Sequence, residues 1–434
     1  MEGKCKVGKK FEIQNAIAKG SFGQIYNGEN VITHQKVAIK FEPFIASEQN
    51  NLNQNIQYEI EKKLNKNISL NYRFYLEQMK PNQKKNRSHQ VLIYECRTLR
   101  FLNSALGFPS IYWYGFHEES NSYALVMDLL DVSISELFKK SSTFKIQSKF
   151  NFDLHHNSPK GNHFSLKTVL MIADQMISRL EFLHKKGFIH CDIKPENMLL
   201  GRGYNSNVIY LIDFGLSKRF IDENRNHIDY GENSVICGTA RYMSINCHIG
   251  INLSRRDDME SLGYVLIYLL KGGLPWQGLT QKKMAIKSKV ESVKKKLVKS
   301  AAINNQEAFP KSKKKYFASA QNDNSINSNK KSVNNLNVVT EETLDIKLSE
   351  LNHHVDNNDL SEKTDLYMKI AEMKLKTPLN VLCEGIPEEF QTYMQQVRSL
   401  RFEDEPDYAF YRQLFRSLFN KAGFVYDMKF DWNS

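Results

Sequence analysis

The sequence lacks the cysteine patterns of zinc sites and disulfide scaffolds. No two of its six cysteines form a Cys-x-x-Cys pair, and none stands with a histidine at zinc-ligand spacing. Scattered cysteines of this kind are typical of reduced thiols in a cytosolic or nuclear protein. The six are Cys5, Cys96, Cys191, Cys237, Cys247 and Cys383.

The sequence also lacks membrane and secretion signals. No apolar run reaches the ~18 residues that a membrane-spanning helix requires, so we expect no membrane span. The first residues, Met1–Cys5, contain no hydrophobic signal-peptide core. Glu2 stands where N-myristoylation requires a glycine.

The charge is basic, with 60 Lys and Arg residues against 48 Asp and Glu residues, a net charge of +12. This surplus fits either a solvated surface or affinity for acidic or phosphorylated partners. Basic and aromatic residues do not interleave in a stacking platform, so we do not expect nucleic-acid binding. The 434 residues, 41% of them hydrophobic, suffice for a large core in two lobes or domains.

A short polar stretch between two apolar runs carries the clearest chemical signal. Residues 190–197 read His-Cys-Asp-Ile-Lys-Pro-Glu-Asn. In this stretch Asp192 can accept a hydroxyl proton, Lys194 can neutralise phosphate charge, and Asn197 can coordinate a metal ion. The stretch resembles the catalytic loop of serine/threonine protein kinases, with Cys191 in place of an arginine. We favour a neutral substitution at Cys191 over reduced activity or an oxidation-sensitive thiol.

A glycine turn near the start of the chain is a weaker signal. Apolar residues alternate over Phe11–Phe41 and predict a small antiparallel sheet. Gly20 and Gly23 lie in the first turn, where glycine lets backbone N–H groups approach phosphate oxygens. Ala18 replaces the first glycine of the kinase pattern, so an ordinary hairpin is the alternative. Residues 37–40, Val-Ala-Ile-Lys, favour phosphate binding because they match the kinase strand whose lysine holds the α- and β-phosphates.

Lys40 faces inward on this strand and needs a carboxylate partner to stay charged. We predict Glu95, because the apolar spacing of Val91–Leu102 indicates a helix packed on the sheet. Glu59 and Glu61 are alternatives in an Asn-, Gln- and Lys-rich stretch.

Later segments predict the rest of a nucleotide site. Residues 111–131 predict two strands that lead into a crossing between lobes. Backbone groups of Asp128 and Leu130 can hydrogen-bond adenine there, with Met127 at the back of the pocket.

Ser165 predicts the N-cap of a long amphipathic helix, on which His184 is a packed, structural histidine. The predicted strand over residues 208–212 ends in Asp213-Phe214-Gly215, from which Asp213 can reach Mg²⁺ between the β- and γ-phosphates.

Several further runs resemble the casein kinase I family of serine/threonine kinases. In one of them, Ser244-Ile245-Asn246 occupies the place of the Ala-Pro-Glu found in most protein kinases. The resemblance covers nearly everything except three polar stretches. The runs are residues 165–170, 173–179, 238–246, 254–263, 274–279, 398–402 and 430–433.

The resemblance implies an α+β, bilobal protein-kinase fold with a sheet-plus-helix N-lobe and a mainly helical C-lobe. It implies that Lys40 and Glu95 form the activating ion pair and that Asp192 orients the substrate hydroxyl and accepts its proton. It further implies that Asp258 braces the catalytic-loop backbone. The resemblance implies as well that Lys194 neutralises the γ-phosphoryl group and that Asn197 and Asp213 hold Mg²⁺. The implied ATP-binding residues are Ile17, Gly20, Ser21, Gly23, Ile25, Ala38, Lys40, Met127, Asp128 and Leu130.

The resemblance also implies protein substrates that carry acidic or phosphorylated residues N-terminal to the target hydroxyl. Arg241, Gln277 and Gly278 match the basic site that recognises them. Lys287 is our choice for the lysine of that site, and Lys369 is the alternative.

We therefore expect an N-lobe over residues 9–127 and a hinge and C-lobe over residues 128–434. Insertions are expected at about 44–89, 139–163 and 289–363. The expected activity is serine/threonine phosphotransfer from ATP with Mg²⁺, by a monomer in the cytoplasm, the nucleus or both. The alternative is a catalytically weak kinase-fold scaffold that binds partners through its insertions.

Overall fold

The computed structural model describes seven ranges of the chain, residues 5–20, 23–44, 91–102, 104–143, 162–232, 234–277 and 358–433. The chain divides into two compact units, Met1–Leu274 with Thr377–Ser434, and Pro275–Lys376. The predicted lobe boundary after residue 127 falls inside the first unit. Most of each of the three expected insertions lies outside the described ranges, as do the alternative carboxylates Glu59 and Glu61.

The first unit begins with a six-stranded antiparallel sheet in the order β1-β2-β3-β4-β6-β5. The alternating apolar residues predicted this sheet, because successive side chains of a strand point to opposite faces. Its strands are β1 (Lys6–Val7), β2 (Phe11–Gly20), β3 (Gly23–Asn30), β4 (Lys36–Pro43), β5 (Ile111–His117) and β6 (Ser122–Asp128).

Strand β4 separates two hydrophobic clusters. Val37 and Ile39 join the cluster on one face of the sheet. Ala38 joins the cluster on the other face, together with Leu92 and Cys96 of the helix α1 (Val91–Leu102). The alternation therefore turns the side chain of the next residue, Lys40, toward that helix.

Helices make up most of the remainder of the described chain. The helix predicted from Ser165 is present, and the Ser165 hydroxyl accepts from the Thr168 N–H at 3.2 Å. The helices are α2 (Ile134–Lys140), α3 (Leu166–Lys185), α4 (Ile245–His248), α5 (Arg255–Lys271), α6 (Asn358–Lys376), α7 (Leu379–Leu382), α8 (Glu388–Ser399) and α9 (Tyr408–Lys421). Short 3₁₀ turns cover Ser141–Thr143, Pro195–Asn197, Gly203–Asn205, Phe214–Leu216 and Asp431–Asn433.

Two small antiparallel ladders lie between α3 and α4 in the chain. Strand β7 (Phe188–Ile189) pairs with β10 (Lys218–Arg219), and β8 (Met198–Leu200) pairs with β9 (Ile209–Leu211). The catalytic-loop residues 190–197 lie between β7 and β8, so both of their ends are fixed by ladder hydrogen bonds.

The second unit is described only at Pro275–Gln277 and α6. Within it the Lys374 ammonium lies 5.2 Å from the centroid of the Trp276 ring. Helix α6 begins at Asn358, inside the stretch expected to be the third insertion. In the described ranges no helix has both the length and the hydropathy to span a bilayer.

Candidate active site

A buried ion pair joins the sheet to α1. The Lys40 ammonium lies 2.6 Å from Glu95 Oε2, and both side chains are almost wholly buried. The same ammonium lies 3.1 Å from Asp213 Oδ1. The Lys40 ammonium on β4 thus connects that strand to Glu95 on α1 and to Asp213 in the segment after β9. Removing one member of such a buried pair leaves an uncompensated charge, which typically costs about 3–5 kcal/mol.

Burial and charge oppose each other at these three groups. Burial alone would lower the pKa of Lys40, but the carboxylates of Glu95 and Asp213 raise it above its ordinary value. Burial would likewise raise the pKa of Asp213, but Lys40 holds it below its ordinary value. Burial raises the pKa of Glu95, against the pull of Lys40. The lysine is therefore held in its charged form, ready to bind an anion.

The start of α1 is held by a residue that the sequence did not single out. Glu42 lies near the end of β4, and its Oε2 accepts from the Leu92 N–H at 3.0 Å. A carboxylate at this point satisfies a free helical N–H and complements the positive end of the helix dipole. Glu42 thereby ties the helix that carries Glu95 to the strand that carries Lys40.

The Asp192 carboxylate lies between two hydrogen-bond donors. Lys194 Nζ donates to Oδ2 at 2.5 Å, and Thr239 Oγ1 donates to Oδ1 at 2.8 Å. The Asn197 side-chain amide donates to the backbone oxygen of Asp192 at 2.9 Å. These contacts bring together the three residues predicted from the loop. Thr239 lies in the run of residues 238–246, but the sequence assigned it no role, because spacing alone does not show a contact across 47 residues.

Asp258 braces the loop as expected. Its carboxylate accepts from the backbone N–H groups of His190 at 2.7 Å and Cys191 at 2.9 Å. It also contacts His184 Nε2 at 2.9 Å, while His184 Nδ1 lies 2.7 Å from the Tyr408 hydroxyl. The prediction that His184 is structural is confirmed, because both ring nitrogens contact buried protein groups.

Asn197 and Asp213 flank the β8–β9 ladder on the same side. Met198 pairs with Leu211, so the residue before β8 lies beside the end of β9. Asp213 adopts a left-handed backbone conformation with φ 65° and ψ 72°, which Asp and Asn tolerate better than most residues. Because its amide nitrogen donates to Asp192, Asn197 has its amide oxygen left for a cation.

A family model described as "Protein kinase domain" matches residues 66–332. The match covers more than half of the chain and includes Glu95, the catalytic loop, Asp213, Thr239 and Asp258. The chain belongs to the protein kinase family. The antiparallel sheet with α1, followed by the mainly helical remainder of the first unit, agrees with the bilobal fold of these kinases.

A protein kinase domain implies the use of ATP, a divalent metal and protein substrates. The donors fit a hard cation, since Asp213 offers a carboxylate oxygen and Asn197 an amide oxygen, the ligand types that Mg²⁺ prefers. In a kinase the metal ion neutralises charge on the β- and γ-phosphates.

The predicted nucleotide residues are distributed along β2, β3, β4 and the segment after β6. Ala38 and Met127 are buried in the cluster beneath α1, and Ile25 packs against it. Ile17 is half exposed. Gly20 pairs with Gly23 across the turn, while Ser21 lies outside the described residues.

Asp128 lies at the predicted hinge, where its backbone is expected to hydrogen-bond adenine. The backbone N–H of Asp128 donates to the Ser110 oxygen at 3.1 Å, so of its two backbone groups only the carbonyl is a candidate for the predicted hydrogen bond to adenine. Its side chain accepts from the Ser110 N–H at 2.8 Å and from the Tyr112 hydroxyl. A cavity of about 630 Å³ borders Asp128 and Leu130 but is lined by none of the catalytic side chains.

The predicted substrate-recognition residues are described only in part. The Arg241 guanidinium lies 5.6 Å from the Tyr242 ring centroid and 5.5 Å from that of Tyr268. It also donates to the Tyr242 hydroxyl at 3.3 Å. Gln277 belongs to the second unit, and Gly278 and Lys287 lie outside the described residues. The prediction for this set remains a prediction.

Proposed function

We propose that this chain is a catalytically active serine/threonine kinase of the casein kinase I type, which uses Mg²⁺-ATP and prefers acidic or phospho-primed substrates. The observation that carries the proposal is the arrangement around Lys40 and Asp192. The cation pairs with Glu95 and Asp213, while the Asp192 carboxylate is oriented by Lys194 and Thr239.

The proposed transfer follows from these positions. The substrate hydroxyl oxygen attacks the γ-phosphorus as the bond to the bridging oxygen of ADP breaks, and the hydroxyl proton passes to Asp192. Lys40 holds the α- and β-phosphates, and Lys194 offsets charge on the transferred group. Positioning and charge stabilisation supply the catalysis, so no covalent protein intermediate is needed.

The preference for acidic or primed substrates is supported by Arg241 and by the net charge of +12. A guanidinium offers phosphate a two-donor fork, and stacking on Tyr242 and Tyr268 limits its rotamers. Replacing Arg241 by Gln should lower kcat/KM about tenfold or more for a phospho-primed peptide, which is the usual size of a lost charge-assisted bond. The same peptide without the priming phosphate should lose much less, and an equal loss for both peptides would contradict the assignment.

Phosphate transfer from Mg²⁺-ATP to casein or a phospho-primed peptide tests the activity itself. The wild-type protein should transfer phosphate and the Asp213→Asn variant should not, since the variant loses a carboxylate that faces both Lys40 and the metal position. A negligible and equal signal from both proteins, each shown folded by circular dichroism, would favour a scaffold that keeps the fold without the activity.

Phosphoamino-acid analysis of the product decides between hydroxyl types, with phosphoserine and phosphothreonine expected.

We further propose that the kinase acts as a monomer in the cytoplasm or nucleus. Light scattering at assay concentration and imaging of a tagged full-length chain check these two statements.

A further inference from the structure

Three cysteines meet beside the catalytic loop. Cys191 directly precedes Asp192, Cys237 precedes Gly238 and Thr239, and Cys247 belongs to α4. The Cys191 backbone oxygen lies against Gly238, the neighbour of Cys237, and the thiols of Cys191 and Cys247 both act on the pKa of Cys237. Cys247 Sγ also donates to the Cys237 backbone oxygen at 3.1 Å. Segments far apart in sequence thus deliver three sulfur atoms to one place.

The backbones of the two segments approach each other closely at this point. Gly238 has a φ of +92°, and a Cβ on it would lie 2.5 Å from the Cys191 backbone oxygen. Only glycine therefore permits the approach without a shift of either segment. Because the segments touch here, a change in the Cys191–Cys237 distance is transmitted to the neighbouring pair, Asp192 and Thr239.

The environment differs among the three thiols. Hydrogen bonds from the Cys191 and Cys247 thiols, together with the Lys218 ammonium, hold the pKa of Cys237 well below its usual range. Burial raises the pKa of Cys191, and the bond to Cys237, together with burial, raises the pKa of Cys247. A thiolate is the reactive form of cysteine, so this arrangement provides one nucleophile beside two protonated thiols. Cys237 and Cys191 are both partly exposed, whereas Cys247 is buried.

We propose that hydrogen peroxide converts Cys191 and Cys237 into a reversible disulfide that switches the kinase off; the loss of activity rests on the proposed function, whereas the disulfide does not. Cys237 sulfur attacks one peroxide oxygen, the O–O bond breaks, and the leaving hydroxide takes a proton to become water. Cys191 sulfur then attacks the resulting sulfenic sulfur, an S–S bond forms, the S–O bond breaks, and a second water leaves. Two thiols are oxidised as one peroxide is reduced to two waters.

The expected inactivation follows from bond lengths. A disulfide requires about 2.05 Å between the sulfur atoms, well below their noncovalent contact distance. Closing that gap pulls the segment with Thr239 toward the loop with Asp192, whose hydrogen bond is 2.8 Å long in the reduced protein. A displacement of about 1 Å at a catalytic group can lower the rate about 100-fold.

The test uses the full chain, reduced and then exposed to hydrogen peroxide. The intact mass should fall by two hydrogens, and non-reducing peptide mapping should link the Cys191 peptide to the Cys237 peptide. Kinase activity should fall in step with the link, by up to about 100-fold, and dithiothreitol should restore both. A link between Cys237 and Cys247, or no link, would overturn the proposal.

Serine variants separate the two oxidation steps, the attack on peroxide and the formation of the disulfide. The kinase activity of each variant after peroxide treatment is divided by the activity of the same variant in its reduced form. Cys237→Ser should form no link, and its activity should not respond to peroxide. The double variant Cys191→Ser, Cys247→Ser should stop at a sulfenic acid on Cys237, which dimedone traps. Cys383→Ser is the matched control, because its thiol is buried and burial raises its pKa to about 11. It should behave as wild type.

A pH series checks the nucleophile independently of activity. Alkylation of Cys237 by iodoacetamide should be nearly constant between about pH 5.5 and 8, whereas an ordinary thiol speeds up about tenfold per pH unit in this range. A tenfold rise per unit at Cys237 would show that this thiol is protonated at neutral pH and would contradict its role as the attacking sulfur. If the reduced protein proves inactive, the proposed function fails, but mapping still decides whether the disulfide forms.

Discussion

Replacing Asp258 with asparagine tests how the catalytic loop is held. The Asp258 carboxylate accepts from the His190 N–H at 2.7 Å, the Cys191 N–H at 2.9 Å and the His184 ring at 2.9 Å. An asparagine has the same shape but only one oxygen. Whichever way its amide is turned, an NH₂ group then faces one of the two backbone N–H donors.

The cost can be worked from these contacts. A hydrogen bond to a charged acceptor contributes about 1.5–3 kcal/mol, and a buried donor left unsatisfied costs about as much. We therefore expect the variant to lose about 2–3 kcal/mol of unfolding free energy. For a domain of this size that corresponds to a fall in Tm of about 3–4 °C. Because Cys191 directly precedes Asp192, kcat should also fall, by about 10- to 100-fold.

Thermal unfolding and steady-state phosphorylation kinetics measure the two effects. Asp427→Asn is the control, since its carboxylate pairs with Lys167 at 2.7 Å on the protein surface. Surface pairs contribute about 0–1 kcal/mol, so this variant should unfold close to wild type and keep its kcat. An Asp258→Asn protein that matched the control in both measurements would refute the view that Asp258 braces the loop.

Three further outcomes follow from the structure. Thr239→Val removes the 2.8 Å donor to Asp192 at nearly constant shape, so kcat should fall about tenfold and Thr239→Ser should restore it; an unchanged kcat would contradict an orienting role. A Cβ at Gly23 would lie 1.7 Å from a carbonyl oxygen of the facing strand, so Gly23→Ala should cost about 1–3 kcal/mol and raise KM for ATP, and a wild-type KM would count against the turn as a phosphate site. Burial disfavours the ionised form of Glu181, but its two basic partners, among them Arg412, hold its pKa below the ordinary 4.5. The stability this provides is present above pH 4.5 and is lost as pH falls through the lowered folded-state pKa. The difference in unfolding free energy between wild type and Glu181→Gln should therefore shrink in acid, and a difference independent of pH would show that the charge is not its source.

Local patterns were sufficient for the elements that carry the candidate site. The spacing of apolar residues gave the helix Val91–Leu102 with its bounds, and Ser165 marked the start of α3. Both signals are local, because a helix repeats every 3.6 residues and its first turn needs a cap. The sequence also identified Lys40, Glu95 and Asp213 as partners in function through their motifs, although no local pattern measures the distances between them.

Contacts between distant segments were decided by the tertiary structure. Thr239 meets Asp192, Glu42 holds the start of α1, and Cys237 meets Cys191 only because packing brings separate segments together. On the sequence alone, we expected the presence of Cys191 in place of an arginine to be neutral. A side chain's chemistry depends on the charges and donors that surround it, and at Cys191 those neighbours include Lys218, Cys237 and Asp258, which lie 27 to 67 residues away in the chain. The sequence by itself determined the catalytic groups and the family they resemble, and folding determined which groups orient them and which thiols lie within reach.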